Sequence, residues 1–168
     1  MAETRLTGGC QCGAVRYAVH ETPYQVGICH CRMCQKAVGA PFFATFTVKT
    51  ASLEWTRGDP AVFKSSDNLE RGFCRDCGTP LFNNWIPNDV IHPAIATLDD
   101  PSAVTPEIQS GTESRLPWTM TIGALSAMST EDAFKGYEAL LGEIAASNHQ
   151  HPDHDTDAWP PKGRDHDG

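Results

Sequence analysis

No stretch of this 168-residue chain is apolar for long enough to cross a bilayer, and Met1 to Gly9 lacks the apolar run that a secretion signal requires. A membrane protein is therefore not expected, and a cytoplasmic location is. Lysine and arginine are scarce, 13 against 21 Asp and Glu, for a formal net charge of −8. Neutralising phosphates takes clustered cations, so no nucleic-acid partner is expected. There is no internal repeat, no Ser-His-Asp constellation and no phosphate-binding glycine loop. The length suits one domain that can bury a core, and two full domains would be cramped.

What the chain does have is a series of short β-type runs. Val15, Tyr17 and Val19 alternate with small or polar residues, the mark of a half-buried strand whose entrance carries Cys10 and Cys12. Further strands are expected at 42–48, 53–56, 61–64, 69–73, 81–85, 90–98 and 105–109. Arg57-Gly58-Asp59-Pro60 and Asp99-Asp100-Pro101 supply turns between them. Closely spaced strands and turns imply a mainly antiparallel β domain. A single late helix follows: Ser129 and Asp132 form a variant capping box, and Phe134, Tyr137, Leu141 and Ile144 recur on one apolar face. That face is expected to pack on the β core, with exchange between subunits as the alternative; the oligomeric state is open. The domain is bounded at 1–145, and the polar His/Asp/Pro-rich stretch 146–168 is read as a disordered tail, because it offers too little apolar surface to offset ordering.

The seven cysteines are the chemistry of the sequence. In a reducing compartment, thiols are read as metal ligands or reactive groups before disulfides, and the odd count agrees. They fall as Cys10-x-Cys12, Cys29-x-Cys31-x-x-Cys34 and Cys74-x-x-Cys77-Gly78. A two-residue spacer lets both sulfurs of the last pair reach one tetrahedral ion, and a structural zinc is closed by four ligands. The missing two come either from Cys10 and Cys12 or from the trio. The first division is the more economical: it leaves Cys29, Cys31 and Cys34 as three ligands with an open position, the pattern of a catalytic zinc. His30 alternates away from its neighbours on an extended segment and should miss that ion.

Several of these motifs in order resemble the glutathione-dependent formaldehyde-activating enzyme family, which also includes centromere protein V. The likeness is carried by Gly8-Gly9-Cys10-x-Cys12-Gly13, Cys29-His30-Cys31-x-x-Cys34-Gln35-Lys36, Gly39-Ala40-Pro41, Ser65-Ser66 and Arg71-x-Phe73-Cys74-x-x-Cys77-Gly78-Thr79-Pro80-Leu81. It runs from about Gly8 to Pro101, weakens towards Trp118 and fades beyond, where Glu107-Ile108-Gln109 and Ile122-Gly123-Ala124-Leu125 depart from the family pattern. The resemblance implies a mainly β, Mss4-like fold of twisted antiparallel sheets around zinc, here with one C-terminal helix. It further implies two zinc ions per chain, a structural one on Cys10, Cys12, Cys74 and Cys77 and a catalytic one on Cys29, Cys31 and Cys34.

The activity implied is that of a carbon–sulfur lyase joining formaldehyde and glutathione reversibly as S-hydroxymethylglutathione. Three thiolates make a soft site that suits a substrate sulfur, and a thiol bound there is deprotonated. Lys36 and Arg71 lie beside the cysteine motifs, where they could meet the carboxylates of glutathione; solvated surface charge is the plainer reading of each. The alternative for the whole protein is a non-catalytic binding module stapled by two structural zinc ions.

Overall fold

The computed structural model describes residues 5–159, and its mainly β architecture is the one expected. The strands are β1 (Leu6–Gly9), β2 (Arg16–Val19), β3 (Tyr24–Cys29), β4 (Phe43–Lys49), β5 (Leu53–Arg57), β6 (Ala61–Ser66), β7 (Leu69–Phe73), β8 (Pro80–Trp85), β9 (Val90–Pro93) and β10 (Ile108–Ser110). One sheet has the order β1-β2-β5 and the other the order β10-β3-β4-β9-β8-β7-β6. Pairing is antiparallel except where β10 lies parallel to β3, placing Ser110 beside Cys29. No helix among the described residues is long and apolar enough to cross a membrane.

The sheets meet through aromatic side chains. Tyr17 on β2 stands edge-on to Trp55 on β5 at 5.9 Å, and Trp55 leans on Phe82 of β8 at 5.8 Å. Phe46, Val48 and Leu81 complete the centre of this core. The Tyr17 hydroxyl is buried but shares a 2.9 Å hydrogen bond with Thr97 Oγ1, so its polar end is satisfied.

The structure corrects the half-buried reading of β2, because Arg16, Tyr17, Ala18 and Val19 are all buried. Arg16 is sheltered by a bidentate pair with Asp99, at 2.7 and 2.6 Å, and a further contact of 2.8 Å to Asp155. Asp155 belongs to the stretch expected to be disordered. The described part of that stretch makes contacts with the domain as far as Trp159, while 160–168 lie outside the described residues.

The late helix also differs from expectation. It is two short helices, α2 (Thr130–Ala133) and α3 (Glu138–Ala146), although Ser129 does cap the first by accepting from Asp132 N. Between them Gly136 adopts a left-handed conformation, φ 89°, which breaks the helical rotation and with it the single apolar face. Tyr137, Leu140 and Ile144 are exposed as a result, and no residue of α2 or α3 is buried. Earlier in the chain, α1 (Arg32–Val38) begins inside the cysteine trio, where no helix was expected.

The Arg16–Asp99 pair generates a prediction. Burial alone would raise the Asp99 carboxyl, but the Arg16 guanidinium and the Thr7 hydroxyl hold it below the usual carboxylate range. A depressed folded pKa contributes stability that is complete above the unfolded value of about 3.9 and lost as pH falls through the folded one. Arg16→Met strands the buried carboxylate and should cost about 3 kcal/mol in urea unfolding at pH 7. Burial then raises Asp99 with only the Thr7 hydroxyl against it, so acidifying from pH 7 to 5 should narrow the gap to wild type; a gap that stays constant would contradict the pairing.

Candidate metal centre

Two hairpin tips face one another at one end of the molecule. Cys10 and Cys12 lie in the turn between β1 and β2, and Cys74 and Cys77 in the turn between β7 and β8. Each turn is closed by backbone pairing: Cys10 N–H donates to Val15 O at 2.9 Å, and Cys74 N–H to Thr79 O at 2.9 Å. Gln11 N–H donates to Thr79 Oγ1 at 3.1 Å and ties one tip to the other. The four sulfurs so gathered all lie within 4.8 Å of one another.

The donor set fits a thiolate-loving divalent ion. Around an ion with metal–sulfur bonds of about 2.3 Å, tetrahedral sulfurs stand roughly 3.8 Å apart. Here Cys10 Sγ and Cys12 Sγ are 3.6 Å apart, and Cys12 Sγ and Cys74 Sγ 3.8 Å. Val15 N–H points at Cys10 Sγ from 3.3 Å, the kind of donor that stabilises a thiolate. Burial raises the Cys77 thiol, yet hydrogen bonds from the Thr79 side chain and backbone outweigh it and bring the thiol down to about 6. Cys74, by contrast, is pushed up to about 11, first by burial. A divalent ion bound by both would displace the proton from each.

The second set forms where β3 runs into α1. Cys29 ends the strand, Cys31 caps the helix by accepting from Cys34 N at 3.4 Å, and Cys34 sits in the first helical turn. Their sulfurs too lie within 4.8 Å of one another. Gln35 braces the junction, its Nε2 donating to His30 O at 2.8 Å and to Ser114 O at 2.9 Å. Gly111, with φ 62°, lets the chain pass against Cys31, where a Cβ would run into the Cys31 backbone nitrogen. His30 turns away from the sulfurs: it is buried, and its Nε2 pairs with Gln109 Oε1 at 3.0 Å.

A buried cation stands behind this set. Arg71 on β7 directs Nη2 at Cys34 Sγ from 3.5 Å and donates Nε–H to Ser65 Oγ at 3.2 Å. Burial pushes the Cys34 thiol up to about 12 against the pull of that guanidinium. Cys29 is lowered, because hydrogen bonding to the Ser110 side chain and to the neighbouring cysteines outweighs its burial. Lys36 is placed differently: it is exposed on α1 and lines a separate depression with Arg32 and Leu116. Ser110 and Gln35 are the contacts that sequence reasoning missed as contributors to the site. Gln35 stood inside the quoted motif, whereas nothing local marks Ser110, which reaches Cys29 through the parallel pairing of β10 with β3.

The described part of the C-terminal stretch packs on the turn that carries Cys10 and Cys12. His151 is buried; its N–H donates to Gln11 O at 2.7 Å, and its ring stands edge-on to Trp159 at 5.0 Å. Trp159 Nε1–H donates to Cys12 O. Both rings press on Gly13, whose φ of 75° and missing Cβ make room for them. Arg57 joins Gly13 O to Thr156 Oγ1, at 3.2 and 3.0 Å.

A mainly β domain with one thiol set closed between two hairpins and another at a strand–helix junction is a cysteine-metal domain with two candidate centres. Residues 5–114 match the model of the family described as glutathione-dependent formaldehyde-activating enzyme, and the chain belongs to that family. A Halomonas elongata protein named for the same activity is 29% identical over 114 residues, 61% of this chain and 71% of its own length. An uncharacterized lyase of Schizosaccharomyces pombe is 33% identical over 76 residues, 45% of this chain and 54% of its own length. In fold, the chain is similar to the crystal structure of a Rhodobacter sphaeroides protein, with TM-score 0.50 and 23% identity over 62% of this chain and 98% of that one. The family match ends before the clasp formed by residues 150–159 begins.

The clasp should slow loss of metal from the set beneath it. With zinc-loaded protein and a chromophoric chelator, His151→Ala should release that ion about tenfold faster, the scale of an outer-shell defect at a metal site. Equal release rates would show that the clasp covers the site without guarding it.

Proposed function

We propose that the protein is a zinc-dependent carbon–sulfur lyase that joins formaldehyde, or a related small aldehyde, to glutathione or another thiol. With formaldehyde and glutathione the product is S-hydroxymethylglutathione. The observation that carries this reading is the three-cysteine set: its donors number one fewer than a closed site requires, His30 is turned to Gln109, and the buried guanidinium of Arg71 stands beside it. Membership of the family supplies the reaction class.

In this reading Cys29, Cys31 and Cys34 hold a zinc ion, which when bound supplies a place where a substrate thiol is held as its thiolate. Cys10, Cys12, Cys74 and Cys77 hold a second, structural zinc between the hairpins. The substrate sulfur forms a bond to the carbonyl carbon, the carbonyl π pair moves to oxygen, and that oxygen takes up a proton. Arg71 offsets the charge of the thiolates and favours the anionic oxygen as it develops. Lys36, with Arg32 on the exposed side of α1, is the proposed contact for a glutathione carboxylate.

NMR of formaldehyde and glutathione at exchange equilibrium should show faster interconversion with the zinc-loaded protein than without it. Arg71→Leu should lower kcat/KM by about a hundredfold, the scale of losing one preorganised charge donor. Exchange no faster than the spontaneous rate would instead favour a binding module in which both ions are structural.

A further inference from the structure

A cavity of about 330 Å³ is lined in part by Arg71, whose guanidinium reaches Cys34. Val38 at the end of α1 and Phe43 on β4 belong both to its wall and to the group packed around Cys34. Phe63, Phe73 and Phe82 form the facing wall, the first two edge-to-face at 6.1 Å. The charged residue in the lining is Arg71, and its Nε and Nη2 are already directed to Ser65 and Cys34. The cavity is therefore a greasy chamber whose charged lining group, Arg71, also touches the Cys34 thiol.

Neither of the plain reactants matches such a chamber. Formaldehyde has no apolar part and would leave the phenylalanine wall bare. Glutathione carries two carboxylates and an ammonium, and desolvating them against aromatic rings with one engaged cation is unfavourable. An apolar cavity of about 150 Å³ already accommodates a benzene ring, so this one has room for a phenyl group and its linker.

We propose that this cavity binds an apolar, phenyl-sized substituent carried by one of the two reactants, so that the preferred substrate pair is bulkier and greasier than formaldehyde with glutathione. The inference rests on the lyase reading for its chemistry and on the cavity for its selectivity. Bond making is unchanged: sulfur adds to the carbonyl carbon, and the oxygen gains the proton released by the thiol. What the cavity adds is orientation, since a ring held between Phe63 and Phe82 keeps the reacting atom near Cys34.

The test uses full-length, zinc-loaded protein and three pairs: formaldehyde with glutathione, phenylacetaldehyde with glutathione, and formaldehyde with benzyl mercaptan. At least one aromatic pair should exceed the parent pair in kcat/KM by about tenfold, the discrimination an apolar pocket supplies. Which one does so tells whether the substituent belongs to the aldehyde or the thiol. Phe63 is 46% exposed at the cavity mouth, so Phe63→Ala should fold, and it should erase that preference. Non-reacting benzyl alcohol provides a readout apart from turnover: it should give a saturation-transfer NMR signal with the wild type that Phe63→Ala weakens. Turnover of no pair would overturn the lyase reading, and benzyl alcohol binding would then stand as support for the cavity alone. A parent pair at least as fast as both aromatic pairs, or no benzyl alcohol signal, would overturn the inference.

Discussion

Four sulfurs drawn from two hairpin tips must stay within reach of one another, and most of the molecule is arranged so that they do. The β1-β2 hairpin belongs to one sheet and the β7-β8 hairpin to the other, so gathering Cys10, Cys12, Cys74 and Cys77 fixes how the sheets meet. The aromatic path from Tyr17 through Trp55 to Phe82 spans the same gap from inside the core. The gathering of the sulfurs at one end and packing at the core end thus impose one constraint twice. A small β domain benefits from such a staple, because its strands pair over long sequence separations and lose more chain entropy in doing so.

Arg71 links this frame to the chemistry proposed for the trio. It sits on β7, shortly before Cys74 in the chain, and yet its guanidinium reaches Cys34 of the other set. Strand alternation does this: Arg71 and Phe73 share one face of β7, so the strand that delivers the closed set also delivers a cation and a cavity wall to the open one. The C-terminal stretch answers the same logic from outside, meeting Arg16 through Asp155, Arg57 through Thr156 and Gly13 through His151 and Trp159.

Much of this was legible in the sequence. Period-two runs located most of the strands, and the spacing of the cysteines set apart the two groups that the structure brings together. What escaped shares a physical cause, namely ordering that depends on partners distant in the chain. α1 is seven residues long and capped by a sulfur, too short for an apolar period to declare itself. Arg16 reads as a surface residue until Asp99 and Asp155 are seen around it. The stretch beyond 146 has the composition of a tail, and its described part, up to Trp159, is held by a handful of contacts made by Asp155, Thr156, His151 and Trp159. Gly136 was visible, but its effect was masked by the apolar residues on either side, and it divides what had read as one helix.

The central claim is the division of seven thiols into a closed set of four and an open set of three. Metal analysis of the purified protein tests it most directly. The account predicts two ions per chain, one for each thiol set. Cys34→Ser should then give up one ion and keep the fold, whereas Cys77→Ser should give up the other and unfold. A single ion in the intact protein, or unfolding on loss of Cys34, would contradict the division.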